Sequence, residues 1–126
     1  MKYIFFFFAV LAQGALSAER IKWVHKPQLS FDEQNRKWHV KFEIDSLSDV
    51  EVAMVDPADS TIVRHLAAGV LGPKAPSPLK PNALAQRIEW NGKDDYGNPV
   101  RNASEMVARV RVGMSVSLEQ IVGGDP

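Results

Sequence analysis

The chain has 126 residues, with 15 basic and 15 acidic side chains and no cysteine. Its balanced, interspersed charge excludes the clustered Lys and Arg stripe that a nucleic-acid binder carries. The missing thiols exclude disulfides, a thiol nucleophile and cysteine metal clusters.

At the amino terminus Lys2 precedes the apolar run Ile4 to Leu11, and the small residues Ala15, Ser17 and Ala18 follow. This is the layout of a secretory signal peptide, too short for the ~20 residues of a bilayer span. Residues 1–18 are assigned to it, with cleavage near residues 17 to 19 and no stable membrane span afterwards. The mature chain, about 108 residues, is long enough for one independently folding domain over 19–122. Losing Lys2 leaves a net charge of about −1, and export places the domain in the periplasm or outside the cell.

Period two governs the mature chain. Ile21 to His25 reads as the opening strand. Trp38, Val40, Phe42 and Ile44 then alternate with His39, Lys41 and Glu43, the pattern of a half-buried strand. Val50, Val52 and Met54 alternate with Glu51, Ala53 and Val55; the turn formers Asp56 to Ser60 follow, then Thr61 to Leu66, which together predict a hairpin. Ala67 and Ala68 allow a turn of helix. Ala85 to Trp90 is a further strand. Met106, Ala108, Val110 and Val112 face inward opposite Val107, Arg109 and Arg111, the two arginines reading as a solvated sheet face. Val116 to Val122 closes the set. About seven strands, each with one apolar face, predict an all-β fold, an Ig-like antiparallel β-sandwich. Residues 123–126 read as a linker or truncated end, which would make this the first module of a longer architecture.

Between Gly72 and Asn82 no strand can run, because Pro73, Pro76, Pro78 and Pro81 remove ladder donors and favour an extended, solvated backbone. The segment is expected to cross the surface as a semi-rigid loop. With Lys74 and Lys80 and two PxxP spacings it is a candidate partner loop.

From Ile88 to Val100 a strand ends in a tight turn. Trp90 supplies a large apolar anchor, while Asn91, Gly92, Tyr96, Gly97, Asn98 and Pro99 supply the backbone conformations that reversals need. Trp90, Gly92, Lys93, Asp94, Gly97 and Val100, in that order, resemble the FlgD-type Ig-like domain, a module of the flagellar hook-capping protein found in many secreted bacterial proteins. Asn91 stands where that family usually has Asp, and Arg64 matches an Arg near the end of the preceding strand. The resemblance covers roughly residues 38 to 112 and implies an Ig-like fold with a structural or adhesive role.

Other chemistries are weaker. Asn91, Asp94, Asp95 and Asn98 offer oxygens for calcium, but Lys93 interrupts the spacing and no Glu closes it; capping of turn NH groups by Asn91 and Asp94 is the simpler expectation. His25, His39 and His65 fall on separate strands as outward-facing residues with no ligand spacing. Neither a Gly-x-Ser-x-Gly elbow, a phosphate loop nor His-Glu-x-x-His occurs. Asn102-Ala103-Ser104 is a formal glycosylation sequon. Trp23, Trp38 and Trp90 could stack sugars, although their strand positions favour burial.

The sequence therefore predicts a non-catalytic, secreted structural or adhesive module that binds protein at the envelope or outside the cell, with no cofactor, no metal and no nucleic-acid partner. The alternatives are a carbohydrate-binding module, with glycan as partner, and the N-terminal accessory domain of a larger exported enzyme.

Overall fold

The computed structural model describes residues 21–113 and 118–123. The assigned signal peptide lies outside them, as do residues 124–126 of the proposed linker. The described residues form seven strands: β1 (Trp23–Asp32), β2 (Lys37–Ile44), β3 (Asp49–Asp56), β4 (Thr61–Val70), β5 (Ala85–Trp90), β6 (Val107–Val112) and β7 (Leu118–Gly123). Among the described residues one 3-10 turn, Ala103–Glu105, accompanies them.

The strands make two antiparallel sheets, β1-β2-β5 and β4-β3-β6-β7. Taken as the letters of an Ig-like sandwich, the three-stranded sheet is ABE and the other is CFG with the fourth strand added beside the third. In the constant-type arrangement that strand sits beside the fifth instead. The connections β2–β3, β4–β5 and β5–β6 cross between sheets, and β1–β2, β3–β4 and β6–β7 are hairpins.

Alternation explains the core. On β2, Val40, Phe42 and Ile44 are buried; on β5, Ile88 and Trp90; on β3, Val50, Val52 and Met54; on β6, Ala108, Val110 and Val112. Burying each large side chain of this kind contributes about 1.5 to 3 kcal/mol. Across the three-stranded sheet Phe31, Trp38 and Trp90 lie directly opposite one another. Their rings meet at a tilt, 4.4 Å and 5.2 Å between centroids, so Trp38 is clamped between two aromatic neighbours.

The hairpin turns use the polar residues expected of them. Asp56 Oδ1 accepts from Ala58 N at 2.9 Å, and Asp59 Oδ1 accepts from Thr61 N at 3.1 Å. In the β1–β2 turn Asp32 Oδ1 accepts from Gln34 N at 3.0 Å, and Arg36 takes a φ of 57°.

Four sequence expectations change. β1 runs on from His25 to Asp32. Its alternation is broken by register shifts between Trp23 and His25 and between His25 and Gln28, which hide it from a period-two reading. Ala67 and Ala68 belong to β4, which continues to Val70 because β3 pairs with it along its length. Arg109 is not solvated: its side chain is 13% exposed and its Nη2 lies 3.4 Å from Glu51 Oε1, with Arg111 Nη1 3.6 Å from the same oxygen. The last strand extends to Gly123, one residue past the predicted domain end.

Candidate functional site

The turn after Trp90 is built from its own polar groups. Trp90 is fully buried and its Nε1 donates to the Lys93 carbonyl at 2.9 Å. Asn91 Oδ1 accepts from Lys93 N at 3.0 Å, and Asp94 Oδ1 accepts from Tyr96 N and Asn98 N, both at 2.9 Å. Gly92 and Gly97 take φ values of 80° and 88°, which side-chain-bearing residues rarely adopt. Val100 N closes the turn onto Gly92 O at 2.8 Å. Capping by Asn91 and Asp94 thus occurs as the sequence predicted.

Asp95 then fastens this turn to the edge strand β4. Its N–H donates to Val63 O at 3.0 Å, its Oδ1 accepts from His65 N at 2.8 Å, and its Oδ2 lies 2.7 Å from His65 Nδ1. Arg64 Nη1 donates to the Asp94 carbonyl at 3.2 Å. The Asp95 carboxyl is held below its ordinary range, first by the His65 backbone N–H, then by the His65 ring and Arg64, with partial burial opposing. The turn covers part of the β4 edge, which would otherwise offer free ladder groups. Arg64, Asp95 and His65 were each marked in the sequence for other reasons; their contacts across about 30 residues were not legible there.

The proline segment is pinned rather than draped. Leu71, Ala75 and Leu79 are buried in the core, correcting the expectation of a purely surface crossing. Gln86, itself buried, accepts from Lys80 N at 2.8 Å and donates to Lys80 O and Ala83 O, both at 3.0 Å. Pro73, Lys74, Pro76, Pro78, Lys80 and Pro81 all remain exposed. The bond before Pro78 is cis. Apolar anchors at three positions and one buried amide therefore hold six exposed residues in a fixed display.

The outer face of the three-stranded sheet carries a feature that sequence reasoning missed. Register places Gln28, Lys41 and Arg87 in one cross-strand row, His25, Glu43 and Ala85 in the next, and Ser30, His39 and Glu89 on the other side. Over the first two rows lies an open groove of about 610 Å³, whose rim includes Val24 and Lys26 of β1 and Lys80 of the proline loop. A smaller hollow of about 400 Å³ adjoins it, with Arg87 lining both, and contains Asp32, Lys37, His39 and Glu89.

The two ends of this face differ in charge. In the smaller hollow Lys37 Nζ meets Glu89 Oε2 at 2.6 Å. This contact, more than any other, lowers the Glu89 carboxyl. Asn35 does the same for Asp32. His39, expected to face outward, does so in the row with Ser30 and Glu89, yet is only 9% exposed, since the flanking strands enclose it. In the larger groove Lys26, Lys41, Lys80 and Arg87 enter no ion pair among the described residues, and the one carboxylate, Glu43, lies 3.6 Å from His25.

Trp90 is sealed in the core, while Trp23 and Trp38 are half-buried against it, so the three indoles do not form an exposed platform. Among the described residues no group of three or more His, Asp or Glu is placed to hold a metal ion, and no helix is long and apolar enough to cross a membrane. No protein-family model matches the chain, and neither a curated protein nor a solved structure matches it.

Proposed function

We propose that this chain is a non-catalytic Ig-like module, exported from the cell, that recognises a protein partner through the outer face of the three-stranded sheet and the proline loop beside it. One observation carries the reading: Lys80 of the pinned loop shares a single concave surface with Lys41 and Arg87 of the sheet. Recognition groups held on strands and on a buttressed loop keep their geometry before a partner arrives, which lowers the ordering cost of binding. Membership of the FlgD-type family is part of the same proposal, supported by the Trp90-to-Val100 turn.

The test is binding of the immobilised protein to envelope extract treated either with trypsin or with periodate. A protein partner predicts loss after trypsin and survival after periodate. The reverse result would replace this reading with the carbohydrate-binding one.

A further inference from the structure

We infer that the groove over Ala85 is a docking site for an acidic, extended segment of the partner protein, an inference that rests on the binding-module reading above. The hollow has a local cause. In the row His25, Glu43, Ala85 the third position carries only a methyl group beside long neighbours, so the sheet surface is recessed there. Lys41 and Arg87, directly opposite each other in the next row, form one wall, and Lys80 of the proline loop and Lys26 of β1 stand at the rim.

Charge selects the occupant. Elsewhere on the two sheets Lys37 meets Glu89, and Arg109 meets Glu51. Around this groove four permanent cations face one carboxylate, Glu43, which already has His25 as a neighbour. A concave surface lined mostly by one sign of charge concentrates their field on whatever enters.

Shape and lining then separate classes of anion. Lys41 and Arg87 lie on neighbouring strands, Lys26 on β1 and Lys80 on the proline loop, so the cations are distributed around the groove rather than converging on one point as a single phosphate would require. Carboxylates on one side of an extended peptide repeat every about 6.8 Å, so one segment can present several of them to charges placed at separate points. A recessed floor does not suit a flat lipid surface. The apolar parts are aliphatic, Ala85 and the half-exposed Val24, and the aromatic ring at the groove, Phe42, is 2% exposed. Sugars stack on open aromatic faces, and the aromatic ring in this lining is closed off.

The probe is a fluorescein-labelled decapeptide of alternating Glu and Val, with an alternating Gln and Val peptide as its neutral counterpart, read by anisotropy. At about 50 mM salt the Glu peptide should bind at least about tenfold more tightly than the Gln peptide, and about 500 mM salt should remove most of that preference. Arg87→Glu and Lys41→Glu should each weaken the Glu peptide about tenfold or more. Arg101→Glu, outside the groove, should leave it unchanged. Circular dichroism confirms that each variant folds, and Lys80→Glu, on the loop, carries the test if a strand variant does not. Equal affinity for the Gln peptide, indifference to Arg87→Glu, or tighter binding to a sulfated glycan or to anionic vesicles would overturn the inference. If the peptide fails while envelope binding remains trypsin-sensitive, the acidic-segment inference falls and the module reading stands. If envelope binding is not trypsin-sensitive, the module reading itself falls.

Discussion

The indole N–H of Trp90 donates to the carbonyl of Lys93 at 2.9 Å, so the ring that fills the core also fixes the turn that leaves it. Trp90→Ala removes both the packing and the bond and should cost about 3 to 5 kcal/mol, a large share of the 5 to 15 kcal/mol that domains generally possess. Trp90→Phe keeps most of the packing and orphans the Lys93 carbonyl, for a smaller loss of about 1 to 3 kcal/mol. Urea unfolding with unchanged slope measures both. A loss below about 1 kcal/mol for Trp90→Ala would place the ring outside the core.

Pro76 occupies the space that a side chain on Gly69 would need: a β-carbon built there meets the proline Cδ and Cγ at 2.5 Å. Gly69→Ala should therefore lift the proline loop or bend β4, costing about 1 to 3 kcal/mol. Gly72→Ala meets no atom within 4 Å and should stay within about 0.5 kcal/mol of the parent. Thermal melts of the pair distinguish a specific seat for Pro76 from a general intolerance of the segment.

The buried carboxamide of Gln86 holds the same loop from the opposite side. Gln86→Leu leaves Lys80 N, Lys80 O and Ala83 O without their partner and should cost about 2 kcal/mol or more. Amide exchange at Lys80 should accelerate beyond what the global loss accounts for. Unchanged protection there would mean that Leu71, Ala75 and Leu79 alone hold the loop.

Acid should loosen the latch between Asp95 and β4. The Asp95 carboxyl titrates below its ordinary value of 3.8 in the folded chain, so its contribution is complete above the unfolded value and is lost as the pH falls through the lowered native one. The urea midpoint should accordingly drop between about pH 5 and pH 3. Asp95→Asn should remove part of that drop while lowering stability at neutral pH. Asp32, Asp59 and Glu89 are lowered too, so the remaining pH dependence belongs to them. A profile identical to the parent would show that the Asp95 contacts do not hold in solution.

What the residues disclosed in advance follows from how local each signal is. Val40, Phe42 and Ile44 announce β2 because a pleated strand exposes alternate faces, and Asp94 announces its turn because its partners lie within four residues. β1 was cut short because its register shifts interrupt the alternation before Phe31, and the turn that follows has Arg36 rather than glycine at positive φ. His39 faces outward as its alternation indicates but is buried there, because polarity predicts exposure only where neighbours do not lean over it. The groove was invisible for a different reason. Lys26, Lys41, Lys80 and Arg87 are scattered along the chain and meet only through strand register and through the buried anchors that set the loop.

Amide chemical-shift mapping by NMR, with the alternating Glu and Val peptide as titrant, tests the account most directly. Perturbations should concentrate at Lys26, Lys41, Lys80 and Arg87 and their strand neighbours, leaving the four-stranded sheet still. Shifts centred instead on the Trp90-to-Val100 turn or on the Glu51, Arg109 and Arg111 face would contradict it.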